Sequence, residues 1–301
     1  MNIRQFEENV VKKIRADKIK VKNKDPYLVT GEYTFNMDWK LKADLDILCS
    51  DLKQNDDGLI IIVAPEGSGK TVLETQIGYY ISQKMKTSWN CDNVHFEGQS
   101  YIDSSLNSPQ YIVNALDESR RALNKMRGMT GNNVDFNNFL SECRDQNQIH
   151  IIVLPAYSDL EQYVAIHRVK YIIQVIKNRD KKSKKLLRGT YRIIDAKSKY
   201  KLKEAWKNGY KDFPKSMIIK DKCKFENVLC LNEKDYKKKK TEAKKERYAT
   251  KTEDKEQNTT IDREKQIVLE HHREGKSARQ IAKMLKRSNK TISIWINEFK
   301  V

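Results

Sequence analysis

Long hydrophobic runs are missing from this chain. The longest, Leu59-Ile60-Ile61-Ile62-Val63-Ala64, falls far short of the roughly 18–20 apolar residues a membrane-spanning helix needs. The N-terminal stretch Met1-Asn2-Ile3-Arg4-Gln5-Phe6-Glu7 has no signal-peptide core, so a cytoplasmic protein without membrane association is expected. Cysteine is scarce and unpatterned: Cys49, Cys91, Cys143, Cys223 and Cys230 make an odd count with no C-x-x-C pair. None stands at ligand spacing from His95, His150, His167, His271 or His272, so neither a disulfide framework nor a zinc site is indicated. His271 and His272 are adjacent in a predicted helix, about 100° apart around its axis, so a shared metal is not expected and both read as surface residues. No internal repeat is visible.

Charge is abundant instead. The 301 residues carry 59 Lys+Arg against 41 Asp+Glu, a net of +18. Residues 1–167 hold 19 basic and 23 acidic side chains, net −4, and residues 168–301 hold 40 and 18, net +22. A one-sided basic half is the footprint of a protein that neutralises phosphates, and nucleic acid is the expected partner. The basic stretches lack the interleaved Trp, Phe and Leu that an anionic membrane surface would require.

The length allows two domains of about 100–200 residues. Residues 1–57 read as an N-terminal appendage: helical spacing of Phe6, Val10 and Ile14, a strand-like Tyr27-Leu28-Val29, and a helix with Leu41, Leu45, Leu48 and Leu52 on one face. From Gly58, apolar runs alternate with helical segments: 59–63, helix 70–85, 94–96, 111–116, helix 134–147, 149–154, 171–176 and 191–194. That alternation predicts a three-layer α/β core over residues 58–232 with a mainly parallel sheet. Residues 233–260 contain Lys237-Lys238-Lys239-Lys240, no Gly or Pro before Gln257, and almost nothing apolar, so they form a charged helix or a flexible linker. Helical periodicity returns over residues 261–301, a small all-α unit.

The segment Ala64-Pro65-Glu66-Gly67-Ser68-Gly69-Lys70-Thr71 joins the first apolar run to helix 70–85. It resembles the P-loop (Walker A) of nucleoside triphosphatases, with Ala64 where the first Gly usually stands. The resemblance implies ATP and Mg²⁺ as cofactors. Gly67 and Gly69 would let backbone N–H groups face the β-phosphate, Lys70 would neutralise the β/γ oxygens, and Thr71 would offer its hydroxyl to Mg²⁺. The run Tyr111-Ile112-Val113-Asn114-Ala115-Leu116-Asp117-Glu118, whose Asp117 lies 47 positions after Lys70, looks like a Walker B strand of the additional-strand, catalytic-glutamate class. By that resemblance Asp117 holds the Mg²⁺ shell and Glu118 polarises the attacking water. In this class the tip of the following strand carries a polar sensor. Here it reads Pro155-Ala156-Tyr157-Ser158, leaving Tyr157 or Ser158. The segments 143–148 and 159–168 are similar to FtsK/HerA-type motors and Zot-like relatives, which makes Arg144 and Arg168 the candidate arginine fingers.

At the C-terminus, a helix from Asp262 to Arg273 with Ile267 and Leu269 on its apolar side stops at Gly275, and Ser277 caps a helix over 278–285. A turn, Lys286-Arg287-Ser288, leads into a third helix from Asn289. The pattern from Gly275 to Thr291-Ile292 resembles the helix-turn-helix of resolvase/invertase and transposase DNA-binding domains. Ile281, Leu285, Ile292 and Ile296 would form its core, and Ala282 would permit close helix crossing. Asn289, Lys290, Thr291 and Ser293 would then face the groove, and Arg279, Lys286 and Arg287 would hold phosphates.

Together these readings predict an oligomeric, ring-forming P-loop ATPase that moves or packages DNA for a virus or mobile element, in the host cytoplasm if viral. The alternatives are an ATP-dependent transposition or replication accessory factor and a nucleotide-gated transcription regulator.

Overall fold

The computed structural model describes residues 26–117, 131–180, 182–183, 185–208, 213–285 and 287–298. Its elements in chain order are β1 (Tyr27–Val29), β2 (Phe35–Met37), α1 (Trp39–Leu52), β3 (Gly58–Val63), α2 (Lys70–Met85), β4 (Val94–His95), α3 (Gly98–Asn107), β5 (Val113–Leu116), α4 (Gly131–Glu142), β6 (Ile149–Leu154), β7 (Tyr171–Arg179), β8 (Leu186–Ile194), α5 (Lys199–Lys207), β9 (Ile218–Lys224), α6 (Glu233–Arg273), α7 (Ala278–Met284) and α8 (Asn289–Glu298). No helix among the described residues is long and apolar enough to cross a membrane. The chain divides into two units, the break falling after Lys237.

In the first unit, β1 and β2 pair with each other, and the other seven strands form one sheet in the order β4-β5-β6-β3-β7-β8-β9. Neighbours from β4 to β7 run parallel, and β8 and β9 are added antiparallel. All six residues of β3 are buried, the continuous apolar run expected of a parallel strand covered on both faces. Along β3 the side chains alternate. Leu59, Ile61 and Val63 share a core with Tyr101 of α3, Phe136 and Leu140 of α4, and Leu202 of α5. Ile60 and Ile62, both fully buried, point to the other face, where α2 packs on the sheet and α1 on α2. Helix, sheet and helix layers follow, as the alternation predicts.

The antiparallel edge is the part of the sheet that the alternation did not foresee. In β9 only Cys223 is buried, while Ile219, Asp221, Lys222 and Lys224 are exposed, because an edge strand covered on one side buries little. The appendage expected over residues 1–57 also fails from residue 26 onward. Leu41, Leu45, Leu48 and Leu52 are buried, since the stripe of α1 is part of the helical layer beside α2. Residues 1–25 lie outside the described residues. The charged stretch 233–260 is helical: α6 runs unbroken from Glu233 to Arg273 and takes in the first predicted C-terminal helix.

The second unit has its own core of Val268, Ile281, Ala282, Ile292 and Ile296, with Ala278, Leu285 and Trp295 packed on it. Ala282 is buried, as close crossing demands. The apolar side of the preceding helix is turned by one residue from expectation: Val268 is fully buried, whereas Ile267 is 39% exposed. Gly275, at φ +83°, ends α6 in a conformation that favours glycine. Ser277 caps α7 in a reciprocal box with Gln280.

One core residue gives the fold a pH dependence. His150 of β6 is buried against Tyr101 and Phe139, with its Nδ1 hydrogen-bonded to the Tyr101 hydroxyl. Burial, reinforced by the Arg168 charge, pushes its pKa down to about 3. An unfolded histidine takes its proton near pH 6.5, so this contribution to stability is complete above about pH 6.5 and is lost as pH falls towards 3. Thermal melts between pH 7 and 4 should show a slope of up to about 1.4 kcal/mol per pH unit that His150→Gln flattens. An unchanged slope would assign the acid sensitivity to other groups.

Candidate functional site

The loop 64–69 leaves the C-terminal end of β3. The Ala64 N–H donates to Leu154 O at 3.0 Å, which extends the β3–β6 ladder by one residue before the chain turns away. Gly67 and Gly69 have φ of +70° and +98°, so the loop requires glycine at both positions. α2 then starts at Lys70. Its first turn aims unpaired N–H groups and positive potential at the loop. The Ser68 hydroxyl is buried inside the loop with no hydrogen-bond partner among the described residues. Lys177 of β7 donates to the Glu66 carbonyl at 2.8 Å and ties down the loop tip. Pro65 completes the segment.

Asp117 follows β5 and is buried, its N–H donating to His95 O at 2.9 Å. The Thr71 hydroxyl donates to Asp117 Oδ2 at 3.0 Å. Tyr236, near the start of α6, donates its hydroxyl to the same oxygen at 2.6 Å. Burial and the Asp117 charge push the Tyr236 pKa up, so the phenol stays a donor at ordinary pH. Residues 46 positions apart, and others 119 apart, thus meet at one carboxylate oxygen. Glu118 lies outside the described residues. Tyr236 is absent from the sequence-based candidates; its one signal is an aromatic ring in an otherwise charged run.

The segment from Phe225 to Tyr236 reaches Asp117 by crossing α2. Gln76 Nε2 donates to Glu226 O at 2.8 Å and Val228 O at 2.9 Å. The Cys230 N–H donates to Thr75 Oγ1 at 3.2 Å, and Trp89 Nε1 donates to Cys230 O at 2.9 Å. This strap accounts for the burial of Thr75 and Gln76 on a helix that would otherwise face solvent there.

Neither candidate finger comes near this loop in its own chain. The Arg168 guanidinium pairs with buried Asp57, and its Nε donates to Leu140 O at 2.9 Å. Asp57 precedes β3 while the loop follows it, so a strand of about 20 Å separates them at ~3.3 Å per residue. Arg144 lies at that far end too, its Nε 3.9 Å from Asp56. Within its own chain Arg168 is held by this ion pair, because leaving Asp57 buried and unpaired would be costly. Tyr157 is structural: it is buried against Phe213, and its hydroxyl donates to Ala165 O.

In the second unit, α7 and α8 cross closely over Ala282 and present the N-terminal turns of α8 outward. Residues 262–300 match the Homeodomain-like domain family. No curated protein and no solved structure matches the chain. On the homeodomain-like unit, Asn289 and Lys290 are exposed at the start of α8, and Arg279 is exposed on α7. Thr291 N–H donates to Ser288 Oγ at 3.1 Å, capping α8. Ser293 turns its hydroxyl back to Asn289 O at 2.9 Å, which occupies its donor within the helix. Arg287, an expected phosphate contact, engages the Glu264 carboxylate through its Nε and Nη2 at 3.0 and 3.1 Å. A guanidinium fork matches a carboxylate in two parallel bonds, and Glu264 is the acid within reach. Lys286 lies outside the described residues.

Proposed function

We propose that the chain is a P-loop ATPase of the additional-strand class that acts on DNA as a motor, in translocation or packaging for a virus or mobile element. The observation that carries the reading is the Thr71–Asp117 hydrogen bond. It joins the first turn after a glycine loop to an acid beyond β5, with β6 inserted between β3 and β5. A hydroxyl and a buried carboxylate beside a helix N-terminus are the donor set a phosphate-bound divalent cation requires.

The residues present fit ATP and Mg²⁺. The unpartnered Ser68 hydroxyl is a donor available to a phosphate oxygen. Residues 64–71 would wrap the phosphates, Lys70 would neutralise the β/γ oxygens, and Thr71 with Asp117 would hold the cation. When bound, Mg²⁺ withdraws charge from the phosphoryl oxygens. Glu118, next to Asp117 in sequence, would take the water-polarising role. The homeodomain-like unit would attach to DNA through Arg279, Asn289, Lys290 and Thr291. A homo-oligomeric ring in the cytoplasm, the host's if the protein is viral, belongs to the same reading.

The test is hydrolysis in the presence of Mg²⁺ and long duplex DNA. A motor should be stimulated severalfold by DNA, and turnover indifferent to DNA would count against it. The homeodomain-like unit favours a second reading, a nucleotide-gated transcription regulator. That reading requires a footprint on one short sequence that survives Lys70→Ala. An accessory factor for transposition or replication would instead form ATP-dependent, weakly specific filaments on DNA.

A further inference from the structure

Beside the glycine loop a cavity of about 550 Å³ is lined by Gly67, Gly69 and Val72 on one side, and by Arg188, Gly189, Phe225 and Asn227 on the other. The size suits a bound nucleoside. One wall is the loop and first turn of α2. The opposite wall is β8 and the start of the strap, which no motif in the sequence marks as part of a site.

That second wall is built to hold Phe225 in place. The Phe225 N–H donates to Gly189 O at 2.9 Å, and Phe225 also bridges to Met37 of β2. Its ring packs against Tyr191, with centroids 6.1 Å apart, and lies 3.2 Å from where a Cβ on Gly69 would stand. Gly189 is a glycine inside a strand, at φ +84°, and a Cβ there would come within 2.8 Å of Phe225 O. Glycine at such a position marks a close approach of backbone or ligand. The Glu226 carboxylate accepts from Asn36 N–H at 3.0 Å and Asn36 Nδ2 at 2.8 Å, so the neighbouring backbone is clamped as well. An aromatic face is thereby fixed at the mouth of the loop, with the exposed Asn227 amide next to it.

We propose that Phe225 is the stacking platform for the base of a nucleoside triphosphate, and that Asn227 borders the same base. The site then selects nucleoside triphosphates over inorganic polyphosphate. The proposal rests on the reading of residues 64–71 as the triphosphate cradle. It adds that the base leaves the cradle towards β8 and the strap, on the side of the loop away from Asp117. Base stacking on an aromatic side chain is sequence-tolerant and reads the flat face of the ring.

The experiment compares Mg²⁺-ATP with Mg²⁺-tripolyphosphate binding by calorimetry on the full chain. Phe225→Ala should weaken ATP about tenfold and leave tripolyphosphate within twofold. Phe225→Trp, which keeps a ring, should retain ATP affinity. Asn227→Ala tests the same wall at an exposed position and should weaken ATP alone, by a few fold. A proportional loss of both ligands in Phe225→Ala would overturn the proposal, because Phe225 would then be supporting the loop. Unchanged ATP affinity in Phe225→Ala would overturn it as well. If the unmodified protein bound tripolyphosphate and ATP equally, the base site would fall while the cradle stood; binding of neither would remove both.

Discussion

Asp117→Asn should lower ATP turnover at least about 100-fold, with the fold intact. The two side chains have nearly the same volume, and the site is buried, so packing changes little. The carboxylate charge is lost, and the cation it would help hold contributes several kcal/mol of charge stabilisation to the transition state, each 1.4 kcal/mol being a factor of ~10. Tyr236→Phe makes the discriminating comparison. It removes one donor from Asp117 Oδ2 while leaving both the charge and the Thr71 bond in place. Its turnover at saturating Mg²⁺ should stay within about tenfold of the unmodified protein, the scale of one charge-assisted hydrogen bond, while its Mg²⁺ half-saturation shifts. Steady-state hydrolysis against Mg²⁺ concentration, with thermal melts as the folding control, reads both. Full activity in Asp117→Asn would remove this carboxylate from the reaction.

Deleting residues 258–301 should abolish preference for any particular DNA site and leave most of the salt-sensitive bulk binding. Specific binding exceeds non-specific binding by ~10³-fold or more in proteins that read base edges, and the exposed start of α8 is the surface suited to it. Bulk binding follows the number of phosphates neutralised, with log K falling by about 0.9 per phosphate for each unit of log salt. Residues 168–224 carry 20 basic and 5 acidic side chains, whereas residues 261–301 carry 10 and 5. Much of that excess lies on β7–β9, where Lys177, Arg179, Arg188, Lys222 and Lys224 are exposed. Titrations of a labelled duplex at several salt concentrations would measure both quantities. Loss of the salt slope together with the preference would show that the C-terminal unit supplies all of the affinity.

Local chemistry made much of this protein legible. Helix 70–85 occurs with the bounds read from sequence, because Gly69 opens it and Lys86, in a left-handed conformation, closes it. The leucine stripe 41-45-48-52 is buried as its spacing requires, and Ser277 caps the helix it precedes. The helix phase before Gly275 differs by one residue from its sequence pattern, since Ile267 and Val268 are both β-branched and apolar and the facing helices decide which is buried. The sequence around Arg168 resembles that of motor proteins but does not show its ion pair. Its partner, Asp57, stands 111 positions away, and no local pattern connects them.

The sequence by itself determined the alternation of strands and helices, the glycine loop between β3 and α2, and the helix-turn-helix pattern, since each rests on contacts within a few residues. Tertiary structure alone decided that β6 separates β3 from β5, that β9 and the strap close the other side of the loop, and that Tyr236 shares an oxygen of Asp117 with Thr71. Those arrangements depend on which surfaces remain to be covered once the local elements have formed, and distant residues meet there because burial leaves them nowhere else to go.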